Sequence, residues 1–199
     1  VEVLVALVDR AQRILTTPAA EWPVIAQEPA TPASLYSGYI VPLAAIPPIG
    51  SFLSTVLFLH RGIFAAAVIS LVSFVAALVS VYLVALIAEN VAPSFGAGKD
   101  RIAALKWVAY SYTASWVAGI ALLIPVIGAF VALLGSLYSL YLLFLGAVPV
   151  MRVPQEKAIG YVAVVIVAAI VLGVFVGLIV GILFGILAAG TMLTTGGIH

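Results

Sequence analysis

The chain has no cysteine, which excludes disulfides, cysteine-ligated iron–sulfur clusters and thiol nucleophiles. Charge is almost as scarce. Only 8 % of the 199 residues are Asp, Glu, Lys or Arg, against about 25 % in ordinary soluble domains. So few charges cannot cover the surface of a water-soluble globule of this size. The two histidines, His60 and His199, lie far apart, so neither a metal site nor any other cofactor is expected. A net charge of +1 leaves no basic surface for nucleic acid. Paired catalytic carboxylates, H-E-x-x-H and G-x-S-x-G are all missing, and Gly96-Ala97-Gly98-Lys99-Asp100 lacks the spacing and hydroxyl of a phosphate loop. No enzyme is expected.

Apolar residues fill the space left. They make up 65 % of the chain, and the mean hydropathy is +1.34. That much apolar surface cannot stay disordered in water. The composition therefore predicts an all-α, polytopic membrane helix bundle.

Charges mark the ends of spans, because a charged side chain at the bilayer centre costs several kcal/mol. A span needs roughly 20 apolar residues. The uncharged stretches predict five transmembrane helices near 34–59, 63–88, 107–124, 126–150 and 158–189. The third and fourth share one uncharged stretch of 45 residues, divided by Pro125 and Gly128. Together they form a membrane domain over 33–190, followed by a polar tail at 191–199. Arg10, Arg13, Lys99, Arg101, Lys106, Arg152 and Lys157 fall on one side of this topology and Arg61 alone on the other. The positive-inside rule then puts the N-terminus in the cytoplasm and the C-terminus outside.

Residues 1–17 do not show the layout of a secretory signal. They read as an amphipathic helix. Leu4, Leu7, Val8, Ala11, Ile14 and Leu15 fill one face, and Glu2, Asp9, Arg13 and Thr16 the other. Such a helix lies in the membrane interface, apolar side down, or packs on the cytoplasmic loops. Residues 18–32 read as an extended, proline-rich connector, with Trp22 as an interfacial anchor.

Three intramembrane patterns stand out. Gly173, Gly177, Gly181 and Gly185 repeat every four residues in the fifth span, a stripe on which another helix can pack closely. The expected partner is another span of this chain, and the alternative is a neighbouring protomer. Pro47 and Pro48 predict a kink in the first span, of the kind that is either structural or a transporter's break. Tyr110, Ser111, Tyr112, Thr113 and Trp116, with Tyr138 and Tyr141 of the fourth span, form a candidate site for a lipid headgroup or small ligand. Their alternative role is an aromatic belt with helix-to-helix hydrogen bonds.

Several short motifs carry a family resemblance. Leu35-Tyr36-Ser37-Gly38-Tyr39 opens the first span and Tyr110-Ser111-Tyr112-Thr113 the third, while Val153-Pro154-Gln155-Glu156-Lys157-Ala158 and Gly160-Tyr161 introduce the fifth. In this the chain resembles a bacterial-type member of the Yip (Ypt/Rab-interacting-protein) family of five-span membrane proteins. The aspartate and proline of the eukaryotic Asp-Leu-Tyr-Gly-Pro motif are absent from Ser34-Leu35-Tyr36-Ser37-Gly38. The resemblance implies the fold, the topology and a bacterial inner-membrane location, and it carries over no catalytic residue. The expected function is non-enzymatic: organising membrane lipids, further membrane proteins or copies of itself. The alternative is a small uncoupled permease or channel for a small molecule or lipid.

Overall fold

The computed structural model describes residues 2–58 and 62–195. His60, Arg61 and His199 lie outside the described residues. Every regular element among the described residues is helical. Two helices precede the apolar segments: α1 (Glu2–Thr16) and α2 (Pro18–Gln27). The first apolar segment is α3 (Pro32–Leu35), a π turn (Tyr36–Ile40), α4 (Val41–Ala44) and α5 (Ile46–Leu57). Then follow α6 (Ile63–Val91), α7 (Arg101–Ser111), α8 (Thr113–Ala118), a 3₁₀ turn (Gly119–Leu123), α9 (Ile127–Met151) and α10 (Gln155–Thr195).

Four runs are long and apolar enough to cross a membrane: Pro32–Leu57, Ile63–Phe95, Ile127–Met151 and Gln155–Leu183. The segment between the second and third of these does not form one helix. Hydroxyls of Ser111 and Thr113 bond to the carbonyls of Trp107 and Tyr110, competing with the backbone at the α7–α8 break. Beyond α8 the backbone tightens into the 3₁₀ turn, and Ile124 is extended, as the residue before a proline tends to be. The chain reverses at Pro125 and Val126, and α9 begins at Ile127.

This broken segment is the centre of the bundle. Leu105, Trp107, Val108 and Ala109 have no exposed surface, while α6 and α9 flank them. The Trp107 ring stacks on Tyr161 of α10 at 5.2 Å, and its Nε1–H donates to the Leu143 carbonyl of α9 at 2.8 Å. Tyr161 in turn donates to the Ala88 carbonyl of α6 at 2.9 Å. Each aromatic buries its ring and spends its one polar atom on a neighbouring helix.

Glycines bring the other helices close to this segment. A Cβ on Gly119 would lie 2.5 Å from Pro47 Cγ, and one on Gly50 would lie 2.9 Å from the Gly119 carbonyl oxygen. On the other side, a Cβ on Gly128 would lie 2.0 Å from the Ala121 oxygen, and one on Gly135 2.3 Å from Ala118 Cβ. The first-span break itself falls at Ala45. Pro47 and Pro48 occupy the first turn of α5, where a missing N–H costs no helical bond.

The segment after α1 departs from the extended form expected for it. Pro18 begins α2 as a helix-starting residue, and Pro23 is tolerated within it because α2 packs along α9. Trp22 is accordingly not an interfacial anchor. It is 1 % exposed and lies against Gly146, where a Cβ would come within 2.8 Å of its ring. Its Nε1–H has no hydrogen-bond partner among the described residues.

The amphipathic face of α1 is divided. Leu7, Ala11 and Ile14 are buried against the bundle, whereas Leu4 and Val8, a short rotation away, are exposed. Half of the apolar arc thus docks on protein and half is free for the membrane interface. Spin labels at positions 4 and 8 in lipid nanodiscs are expected to contact a lipid-soluble quencher, and labels at 7 and 14 to be shielded from both lipid and water quenchers. Equal accessibility at all four positions would refute this division.

Candidate functional site

The residues that run together as Tyr110 to Trp116 are not one site, because a helix sends successive side chains to different sides. Tyr110 turns toward α1: its ring packs on Tyr39 at 4.4 Å, and the Arg10 guanidinium lies 5.9 Å above it. Thr113 is fully buried and hydrogen-bonds Tyr39 at 2.7 Å. Tyr112 stacks on Trp116 at 5.8 Å. Tyr138 donates to the Leu15 carbonyl of α1 at 2.8 Å and packs beside the half-exposed Tyr141.

Ser111 and Tyr112 line a different space. Together with Ser115, Ser136 and Ser139 they face a cleft of about 190 Å³ whose apolar rim includes Leu140 and Ile170. Both rim residues are exposed, so the cleft opens sideways between α9 and α10. Most of its hydroxyls are already engaged. Ser115 and Ser139 bond each other at 2.9 Å, and Ser111 and Ser136 bond back to the carbonyls of Trp107 and Ala132. A hydroxyl oxygen that donates one bond keeps acceptor capacity, so the wall can still meet a polar group that enters from the lipid side.

Among the described residues, the stripe of Gly173, Gly177, Gly181 and Gly185 does not form the expected seam within the chain: a Cβ at any of the four would meet none of them within 4 Å. The close approaches fall instead at Gly50, Gly119, Gly128, Gly135 and Gly146.

A charged cluster ties α1 and α2 together, and sequence reading did not assemble it. Arg10 pairs with Glu21 and Glu28, and Arg13 Nε donates to Glu21 at 3.0 Å. Burial works against the Arg10 charge, yet the hydrogen bond and field of Glu28, with Glu21, hold its pKa above the ordinary arginine value. Lys106, one of the basic residues that mark the topology, does not reach outward. It is buried, and its ammonium donates to the carbonyls of Ile25, Ala26 and Glu28 at 2.8, 3.3 and 2.7 Å. These carbonyls end α2, so Lys106 caps that helix from a distant segment. The eight-residue separation of Arg13 and Glu21 becomes a contact only through the turn at Thr17, which proline counting obscured.

Neither a curated protein nor a solved structure matches the chain. The family model described as the Yip1 domain matches residues 13–178. That interval begins in α1, takes in the Arg13–Glu21 pair, the central broken segment and the lateral cleft, and ends within α10. With a multi-span helical bundle over the same residues, the chain is an integral membrane protein that belongs to the Yip1 domain family.

Proposed function

We propose that this is a non-enzymatic, five-span protein that organises membrane lipids and membrane-protein partners in a bacterial inner membrane, with its N-terminus in the cytoplasm. The fifth crossing is the central broken segment. Its residues 101–123 reach roughly 35 Å, against a hydrocarbon core of roughly 30 Å. The orientation rests on the seven basic residues that share one side of this topology.

The observation that carries the lipid reading is the hydroxyl-walled cleft between α9 and α10. Its rim is apolar and exposed to the bilayer, and its wall offers acceptors that a lipid tail region lacks. Gly119 packs on Pro47 just after the first-span break, and on that side the break is a packed seam and not a path. The open glycine stripe on α10 would serve association with another membrane helix.

Photoreactive residues at Leu140 and Ile170 are expected to capture lipid that survives a delipidating wash. The same residue at Val79, exposed on α6 away from the cleft, should capture only lipid that washes off. Equal capture at all three positions would reduce the cleft to ordinary lipid contact and remove the reading.

A further inference from the structure

A second cleft, of about 320 Å³, lies at the charged end of the molecule between α1, the start of the first span and α7. It is separate from the lateral cleft and shares none of its lining residues. Leu7 and Arg10 come from α1, Glu28 from the turn after α2, Gly38 from the π turn, and Lys106 and Tyr110 from α7. A Cβ at Gly38 would meet nothing within 4 Å, so that wall is bare backbone beside open space.

What such a cleft can hold depends on which of its polar groups are unspent. Lys106 has three donors and all three go to carbonyls. Arg10 uses one N–H of each terminal nitrogen on Glu21 and Glu28, which leaves donors over. Glu28 takes its hydrogen bond from Arg10 on Oε1, and its Oε2 has no partner among the described residues. Tyr110 is more than nine-tenths buried. Its ring is held by Tyr39 and Arg10 and its carbonyl accepts from Thr113, but its hydroxyl has no hydrogen-bond partner among the described residues.

The unspent groups are thus a carboxylate oxygen that accepts, a phenol that accepts and donates, and a guanidinium that still donates. The oxygens suit a cation that carries N–H donors, which a carboxylate and a phenol can accept. The guanidinium beside them suits an anion attached to that cation. Ala6 and Leu7 of α1 and Leu35 at the start of the first span line the cleft beside these groups and give it an apolar wall for attached chains. We propose that this cleft binds the headgroup of an aminophospholipid, its primary ammonium on Glu28 and Tyr110 and its phosphate on Arg10. The proposal goes beyond the lateral cleft and does not depend on it.

The test uses the whole protein in mild detergent, with lipid retention read by native mass spectrometry. Phosphatidylethanolamine is titrated against phosphatidylcholine, whose quaternary nitrogen has no N–H, and phosphatidylglycerol, which has no amine. Wild-type protein should retain phosphatidylethanolamine at least tenfold better than either. Tyr110→Phe deletes only the unpartnered hydroxyl and should lower that affinity about tenfold, leaving phosphatidylcholine unchanged. Glu28→Gln, checked for an unchanged unfolding temperature, should lower it at least as far. Equal retention of the three lipids, or a preference that survives Tyr110→Phe, overturns the proposal. A preference for phosphatidylglycerol would make the cleft an anion site and overturn it too. Soluble phosphoethanolamine should compete weakly. If it competes as well as the lipid, the lipid assignment fails and a soluble amine phosphate takes its place. Rim capture at Leu140 and Ile170 is unaffected by either variant, so failure here is distinguishable from failure of the lateral cleft.

Discussion

Gly128→Ala is expected to lower the unfolding temperature of the detergent-solubilised protein by roughly 5–10 °C, the result of about 2–3 kcal/mol of overpacking. The added carbon would sit 2.0 Å from the Ala121 carbonyl oxygen and 2.7 Å from Leu122 Cα. Both are backbone atoms, so no side chain can swing aside. Either α9 separates from the 3₁₀ turn or the turn itself unwinds, and contacts along the seam are lost with it. Those contacts matter more in a bilayer than in water, because dispersion between closely packed helices is what lipid cannot match. Gly177→Ala is the control. It also replaces a glycine in the middle of a long helix, but its Cβ meets nothing, so stability should stay level or rise slightly from the better helix propensity. Gly177→Ile extends the control. An unchanged unfolding temperature with a smaller particle in detergent would identify the α10 stripe as a contact between molecules. If Gly128→Ala is as stable as the wild type, α9 does not pack this tightly on the 3₁₀ turn.

The contrast between these two glycines shows where sequence pattern is informative and where it is not. The α10 stripe is regular because one straight helix can display it, and a four-residue spacing is easy to read. The glycines whose Cβ would come within 3 Å of a neighbour are spread over three segments: Gly50 in α5, Gly119 in the 3₁₀ turn, and Gly128, Gly135 and Gly146 in α9. Periodicity along one helix cannot say which helix lies opposite, and that decides whether a missing Cβ is used. The membrane class and the apolar runs were legible because a charge inside a bilayer is expensive, so charge-free stretches have a physical cause. The broken third segment was less legible. Its hydroxyls look like a ligand cluster in one dimension, yet Ser111 and Thr113 spend them on their own helix. Prolines are a mixed guide. The first span does break at Ala45, directly before Pro47 and Pro48, which stand in the first turn of α5 where proline fits, whereas Pro18 starts α2 and Pro23 sits inside it, in a segment whose proline content predicts an extended chain.

Lys106→Met tests the other feature that sequence reading missed. At 5 % exposure the residue is nearly as buried as its apolar neighbours, and its stem fills the same space that methionine would. What the substitution removes is the ammonium. The carbonyls of Ile25, Ala26 and Glu28 then lose their common donor. An unpaired buried carbonyl costs about 1–3 kcal/mol, but the end of α2 lies at the polar edge of the bundle and can open to water. The loss is therefore expected to be local: about 3 kcal/mol against opening of the α1–α2 hairpin, with the central core intact. Hydrogen exchange reads this directly. Amides of residues 20–28 should exchange roughly a hundredfold faster in Lys106→Met, while those of residues 140–148 keep their protection. Lys99→Met provides the comparison, since Lys99 is exposed and, among the described residues, bonded only to Asn90, and it should alter neither region. Wild-type exchange over residues 20–28 in Lys106→Met would mean that the carbonyls find water at no cost, and the capping role would be lost. Faster exchange in the core as well would mean that α2, through Trp22 against Gly146, is part of the cooperative unit and not a hairpin docked upon it.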